Sequence, residues 1–308
     1  MSILFYSKGD DPQPWRQALS AAFPDMAFEI WPGVRDLNTV RYALVWNPPA
    51  DMLAKLPNLR AVLALGAGVD SLLADAQIPQ VPVVRLLDAG LAAQMAEYAV
   101  YGVLHFHRRM GDYRQLQLDR VWRPLEPVPA HAWTVGVMGT GVIGSLITRH
   151  LVALGYAVRG WSRSVRNIDG VENFAGDAQL NSFLAGSRAI VNVLPLTAQT
   201  KGILNARTFA AMPRGSYVIN IGRGGHLIET DLLAALDSGQ ISGAMLDVFN
   251  EEPLPVTDAL WAHPNVVITP HIAGVTIAAE AEAQVVANIR RMEQGESPIG
   301  IVDRAKGY

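Results

Sequence analysis

Thr134-Val135-Gly136-Val137-Met138-Gly139-Thr140-Gly141-Val142-Ile143-Gly144 is the stretch on which the fold turns. An apolar, strand-like run enters a G-x-G-x-x-G loop, which opens a helical segment at Gly144–Leu154. The glycine spacing alone is a weak signal; the strand before it and the helix after it give it a mechanism. The first glycine makes a tight turn, the second admits a pyrophosphate, and the third lets helix and strand pack closely. The helix N-terminus presents unpaired N–H groups and a partial positive charge to phosphate oxygens. A turn without a ligand is the plainer alternative. Gly139, Gly141, Val142, Ile143 and Gly144 are the cofactor-binding candidates here.

Outward from this loop, short apolar runs alternate with amphipathic stretches of helical length. Downstream strands are expected at Ala157–Trp161, Ala189–Leu194, Tyr217–Ile221, Gly243–Val248 and Val266–Thr269, with helices at Glu229–Asp237 and Ile277–Gln294. Upstream, strands are expected at Ile3–Tyr6, Tyr42–Trp46, Ala61–Ala64 and Val83–Arg85, and helices at Pro14–Ala22 and Ser71–Ala76. The long stretch Ala92–Arg109 connects the two series. Such alternation predicts an α/β protein of two βαβ units with parallel sheets.

The bulk numbers fit this. The 308 residues suffice for two domains, and 50% hydrophobic with 17% charged residues is a globular composition. A net charge of -3 gives no sign of a nucleic-acid partner. The absence of cysteine excludes disulfides, a catalytic thiol and cysteine-ligated zinc. No signal peptide and no membrane-length apolar run is read, so a cytoplasmic protein without a membrane partner is expected.

A dinucleotide site selective for NAD places an acid about 20 residues beyond the first glycine, on the ribose hydroxyls. Here that region reads Val158-Arg159-Gly160-Trp161-Ser162-Arg163-Ser164, and the next acid is Asp169. A cation with neighbouring hydroxyls suits a 2′-phosphate. Ser162 and Arg163, with Arg166 second, therefore predict NADPH ahead of NADH. A solvated surface arginine is the alternative.

Three groups of ionisable residues follow late strands: Arg223 in Asn220–Gly225, Asp247 with Glu251 and Glu252 before Pro253, and His271 in Thr269–Gly274. Ligands of parallel sheets bind beyond the carboxyl ends of the strands. Hydride transfer to a carbonyl develops charge on oxygen, and histidine is a suitable proton donor near neutrality. A carboxylate partner orients such an imidazole and favours its protonated form. An arginine fork holds a substrate carboxylate while polarising the oxo group. Singly, each residue has a plainer structural reading; the combination points to a reductase.

With these motifs in place the sequence resembles the D-isomer-specific 2-hydroxyacid dehydrogenase family. The resemblance rests on GTGVIG, PLTAQTKGIL (Pro195–Leu204), NIGRGG, DVFNEEPLP and PHIAG, in the family's order. It narrows to reductases of glyoxylate and hydroxypyruvate on ALVWNPP (Ala43–Pro49), LALGAGVDSLL (Leu63–Leu73), AALDSGQISGAMLDVFNEEPLP and the closing VDRAKGY. The resemblance implies Arg223, Glu252 and His271 as the catalytic set, with Glu252, not Glu251, paired to the histidine. It implies that backbone N–H groups around Ala67, Gly68 and Val69 meet the substrate carboxylate and that Trp46 walls the pocket. Leu194, Pro195, Leu196, Thr197, Thr200, Ile221 and Gly222 would line the cofactor cleft, and Asp247 would meet the carboxamide. Trp46 as core and Asp247 as the cap of a neighbouring loop are the competing readings. His226 lies close to this chemistry, but the sequence gives it no partner.

The resemblance further implies two Rossmann-like domains, flavodoxin-like and dinucleotide-binding, with an interdomain cleft. Residues 1–97 and 280–308 would form the substrate domain and 98–279 the dinucleotide-binding domain. A homodimer through the nucleotide domain is implied, with Gln115–Pro129 as a candidate contact. Rival readings are a dehydrogenase of another 2-hydroxy acid, of the phosphoglycerate or D-lactate type, and a non-catalytic dinucleotide-sensing protein. A formate dehydrogenase is disfavoured, since that branch carries glutamine where Glu252 stands.

Overall fold

The central strands of this chain are short and buried on both faces, which commits them to sheets covered on both sides. The computed structural model describes residues 1–7, 9–66, 68–73 and 77–304. It divides the chain into two units, Met1–Leu91 with Thr276–Tyr308, and Ala92–Val275.

The chain begins β1 (Ser2–Tyr6), α1 (Pro12–Ala22), β2 (Ala27–Ile30), β3 (Val40–Val45), β4 (Ala61–Ala64), α2 (Asp70–Leu73) and β5 (Val83–Val84). The five strands form a parallel sheet in the order β2-β1-β3-β4-β5. The order reverses between β1 and β3, so their carboxyl ends, Tyr6 and Val45, mark the topological switch point. Asp11 caps α1 through its side chain, with prolines in the first turn, which is why the helix starts at Pro12. The expected helix at Ser71–Ala76 is described only as Asp70–Leu73; residues 74–76 lie outside the described residues.

The second unit is assembled from α3 (Leu91–His107), α4 (Met110–Leu118), β6 (Val135–Met138), α5 (Val142–Ala153), β7 (Val158–Ser162), β8 (Val171–Ala175), α6 (Gly176–Ala185), β9 (Ala189–Asn192), α7 (Ala206–Ala211), β10 (Ser216–Asn220), α8 (Glu229–Asp237), β11 (Ile241–Leu246) and β12 (Val266–Ile268). The long helix expected to reach Arg109 stops at His107, and Arg109 turns left-handed (φ 56°) before α4. α9 (Ala278–Glu293) then returns to the first unit.

The second sheet is parallel throughout, in the order β12-β11-β10-β9-β6-β7-β8. Its pairings put Trp161, Met138, Asn192, Asn220, Leu246 and Ile268 in one row across six strands. The next residue of each strand stands at the sheet's carboxyl edge, so the register assembles Ser162, Gly139, Val193, Ile221, Asp247 and Thr269 on one edge. The strand order reverses between β6 and β9, where the glycine loop emerges.

Candidate active site

The glycine loop is as tight as its sequence demands. Gly139 adopts φ +100°, and a Cβ on Gly144 would stand 1.8 Å from the Gly139 carbonyl oxygen. No side chain caps α5, and nothing lies within 4 Å of a Cβ position on Gly141. The first N–H groups of α5, Val142 and Ile143 among them, thus have no side-chain cap. This cradle fits a dinucleotide pyrophosphate. Gly139 N–H donates to Trp161 O (2.8 Å), which sets the Ser162–Arg163 turn beside the loop. Arg163 and Arg166 are exposed, whereas the Ser162 hydroxyl donates to Ser164 O (2.8 Å).

On the other side of the switch point, Leu194 is buried and Pro195 exposed. The Thr200 hydroxyl closes this loop, accepting from Thr197 N–H (2.8 Å) and donating to Pro195 O (2.7 Å). Leu196 packs beside Gly225. Ile221 and Gly222 are buried where the chain leaves β10.

His271 and Glu252 meet directly: Nδ1 lies 2.7 Å from Oε2, with both side chains a little over one-third exposed. The other carboxylate oxygen accepts from Phe249 N–H (2.9 Å). Burial pushes the Glu252 carboxyl up, but the bonds from His271 and Phe249 and the charges of His271 and Arg223 more than offset this. The net pKa lies below the ordinary glutamate value. Arg223 is brought to this pair by Gly224, whose absent Cβ would sit 1.9 Å from the Phe249 carbonyl carbon. The loop after β10 therefore rests on the loop after β11. Arg223 Nη1 donates to Gly222 O (2.8 Å).

Asp247 is the anchor of the histidine loop. It is 1% exposed; Oδ1 accepts from the Thr269 hydroxyl (2.6 Å) and Ile272 N–H (2.8 Å), and Oδ2 from Ala273 N–H (2.8 Å). Its carbonyl accepts from His271 N–H (2.9 Å). The Thr269 hydroxyl, having donated to Asp247, accepts from Tyr98 OH (2.6 Å), and burial pushes that phenol up to about 12. These bonds hold His271 at φ 56°, a left-handed conformation that costs a residue with a side chain roughly 1–3 kcal/mol. The geometry is that of a loop cap, with both carboxylate oxygens engaged.

His226, read in the sequence as lacking a partner, is fully buried and has several: Arg223 N–H, Asn192 Nδ2 and Pro195 O. Asn192 and Asn220, buried at the ends of β9 and β10, complete that cluster through an Nδ2–Oδ1 bond of 2.9 Å. Polar residues ending apolar strands, Asn192 in AIVN and Asn220 in SYVIN, were the available signal.

In the first unit, Trp46 directly follows β3 at the switch point, and its indole lies over Gly66, within 3 Å of where a Cβ would stand. It also packs against the core that holds Phe5 and Leu63, so it is wall and core at once. Val69 is buried at 3% exposure, Gly68 is half-buried, and Ala67 lies outside the described residues. Among the described residues no group of histidines and carboxylates is arranged to hold a metal, and no helix is long and apolar enough to cross a membrane.

Comparison with known proteins converges on one family. The NAD binding domain of D-isomer specific 2-hydroxyacid dehydrogenases matches residues 100–273. Glyoxylate/hydroxypyruvate reductase A of Yersinia enterocolitica is 45% identical, over the full length of both chains. The structure of a D-isomer specific 2-hydroxyacid dehydrogenase from Xanthobacter autotrophicus, in complex with NADPH and MES, superposes with a TM-score of 0.94 at 43% identity. It covers 100% of this chain and 99% of its own. The NADPH-dependent glyoxylate/hydroxypyruvate reductase of Sinorhizobium meliloti, in complex with NADP and sulfate, gives 0.92 at 38% identity, with 100% and 99% covered.

Proposed function

The chain belongs to the D-isomer specific 2-hydroxyacid dehydrogenase family, and from that premise we propose that it is an NADPH-dependent reductase of small 2-oxo acids. Glyoxylate would yield glycolate and hydroxypyruvate D-glycerate. The observation that carries this reading is the 2.7 Å Glu252–His271 pair at the sheet edge that also bears the glycine loop and Arg223. The identity to a glyoxylate/hydroxypyruvate reductase supports the substrate class, and the relatives' NADPH and NADP complexes support the cofactor.

When bound, NADPH supplies the hydride that adds to the oxo carbon. His271 gives the proton that the oxo oxygen takes up, so the product is the 2-hydroxy acid. Glu252 accepts from Nδ1–H and so leaves Nε2 as the nitrogen that exchanges the proton. Arg223 binds the substrate carboxylate and stabilises the charge developing on the oxo oxygen. Ser162, Arg163 and Arg166 take the 2′-phosphate, the α5 N-terminus takes the pyrophosphate, and the 194–200 loop with Ile221 and Gly222 lines the cofactor's place. Trp46 and the backbone at 67–69 would supply the first unit's substrate contacts, so that Met1–Leu91 with Thr276–Tyr308, rather than the expected 1–97 and 280–308, acts as substrate domain and Ala92–Val275 as dinucleotide domain.

A homodimer is part of the same proposal. Leu118, Val121 and Trp122 are exposed, the last completely, on and just after α4, and an apolar surface of this kind is suited to a second copy. A cytoplasmic location goes with a reaction that draws on soluble dinucleotide.

The test is NADPH oxidation, followed by absorbance, with glyoxylate and hydroxypyruvate, run beside NADH. Strong turnover with NADPH and weak turnover with NADH is expected. Preference for NADH would overturn the Arg163 assignment, and silence across a panel of 2-oxo acids would overturn the reaction.

A further inference from the structure

His226 is a buried imidazole that the reaction itself does not use. Its partners fix which nitrogen carries the proton. Nε2 lies 3.2 Å from Pro195 O, which only accepts, and Nδ1 lies 3.1 Å from Arg223 N–H and 3.0 Å from Asn192 Nδ2, which only donate. Nδ1 is also 3.1 Å from Arg223 O, but a proton there would face two donors and leave the Nε2 lone pair against the Pro195 carbonyl. The ring is therefore neutral, with its proton on Nε2.

The surrounding amides are fixed in the same way. Asn192 Oδ1 accepts from Leu194 N–H (3.4 Å), so its Nδ2 donates to Asn220 Oδ1 (2.9 Å) as well as to His226. Asn220 Oδ1 also accepts from Gly222 N–H (3.3 Å), and Asn220 Nδ2 donates to Arg223 O (3.2 Å). Both backbone polar groups of Arg223 are thus held by fully buried side chains, His226 and Asn220. Through Pro195 O, which accepts from the Thr200 hydroxyl too, His226 is tied to the 194–200 loop.

We propose that His226 is a positioning residue that sets the backbone of Arg223, and thus its grip on the substrate carboxylate, in register with the 194–200 loop. The inference rests on the reductase reading above. Its two ring nitrogens have separable tasks: Nδ1 serves the substrate anchor and Nε2 the cofactor-lining loop. Displacing a positioned group by about 1 Å can cost on the order of 10²-fold in rate, so a lost backbone anchor at Arg223 has a measurable consequence.

Two substitutions separate the tasks. Asparagine places Oδ1 where Nδ1 stands and drops the distal donor, whereas glutamine keeps a distal N–H donor and drops the Nδ1 acceptor. In steady-state assays with glyoxylate, His226→Gln should lower kcat/KM by on the order of 10²-fold, chiefly through a raised KM, with NADPH affinity by fluorescence titration within about threefold of wild type. His226→Asn should restore KM to within about threefold and weaken NADPH binding about tenfold, the scale of one lost buried hydrogen bond. Wild type and Arg223→Ala are run alongside. An idle wild type, or an Arg223→Ala enzyme with normal turnover, would overturn the functional reading and the proposal with it. If wild type turns over and Arg223→Ala does not, but both His226 variants lose KM and NADPH affinity together in proportion to their melting temperatures, the proposal alone is overturned. A measurement on the unaltered enzyme guards against variants that do not fold. ¹⁵N-histidine NMR should show His226 in the Nε2–H form, and an Nδ1–H signal would overturn the assignment.

Discussion

Replacing Asp247 by asparagine changes one atom and tests whether this residue holds the His271 loop or meets the cofactor. The carboxylate accepts three hydrogen bonds, two of them from backbone N–H groups at 2.8 Å. In Asp247→Asn one oxygen becomes an NH₂ group, so at least one donor meets a donor. A buried N–H left without an acceptor costs about 1–3 kcal/mol, and the surviving bonds lose their charge assistance, roughly 1 kcal/mol each. The sum is ~4 kcal/mol, which lowers Tm by about 8–16 °C at ~2–4 °C per kcal/mol. The same bonds offset the left-handed backbone of His271; releasing a strain of ~2 kcal/mol reduces the poised fraction about 30-fold. We therefore expect kcat for glyoxylate reduction to fall about 30-fold or more, with NADPH affinity by fluorescence titration within about threefold of wild type. Near-normal kcat combined with much weakened NADPH binding would refute the clamp and restore Asp247 as a cofactor contact.

Arg163→Ala should weaken NADPH binding about tenfold while leaving NADH within about threefold, measured by parallel titrations, since only the former carries the extra phosphate. Glu252 has a folded-state pKa below its ordinary value, so its stabilisation is present above the ordinary carboxylate range and is lost as pH falls through the folded value. The gap in urea midpoint between wild type and Glu252→Gln should accordingly exist at neutral pH and close on acidification; a gap that widens in acid would contradict the assignment. Trp122→Asp should shift sedimentation from dimer toward monomer at micromolar concentration, and an unchanged dimer would remove this surface from the interface.

Much of this architecture was readable because its signals are local. The glycine loop needs only its flanking strand and helix, and the strand-end positions of Arg223, Asp247 and His271 follow from runs such as Ser216–Asn220 and Ile241–Leu246. Less visible were the edge strands. β8 reads Val171-Glu172-Asn173-Phe174-Ala175, half polar because it has one neighbour, and Glu172 faces Arg159 across it at 2.9 Å. β2, Ala27–Ile30, is apolar but for Glu29, yet it is only four residues long and partly exposed along its length, as an edge strand is. The partners of His226 were illegible because Asn192 and Pro195 lie some thirty positions away and meet it only when β9 and β10 align. The sequence permitted two readings of Asp247, and the loop cap becomes visible only with the approach of the 269–273 backbone.

The return of α9 to the first unit has a consequence for the nascent chain. Ala281, Val285, Ile289 and Met292 share a core with Ile3, Phe5 and Leu19, so these earlier residues await partners synthesised a whole unit later. At ~5–20 residues per second, ribosomal synthesis of the intervening unit takes on the order of ten seconds or more. Throughout that interval β1, β3 and α1 lack their apolar cover, while the whole of Ala92–Val275 emerges as a contiguous segment able to fold first. The core around β1, β3 and α1 therefore closes only after α9 has been made, well after the segment it covers.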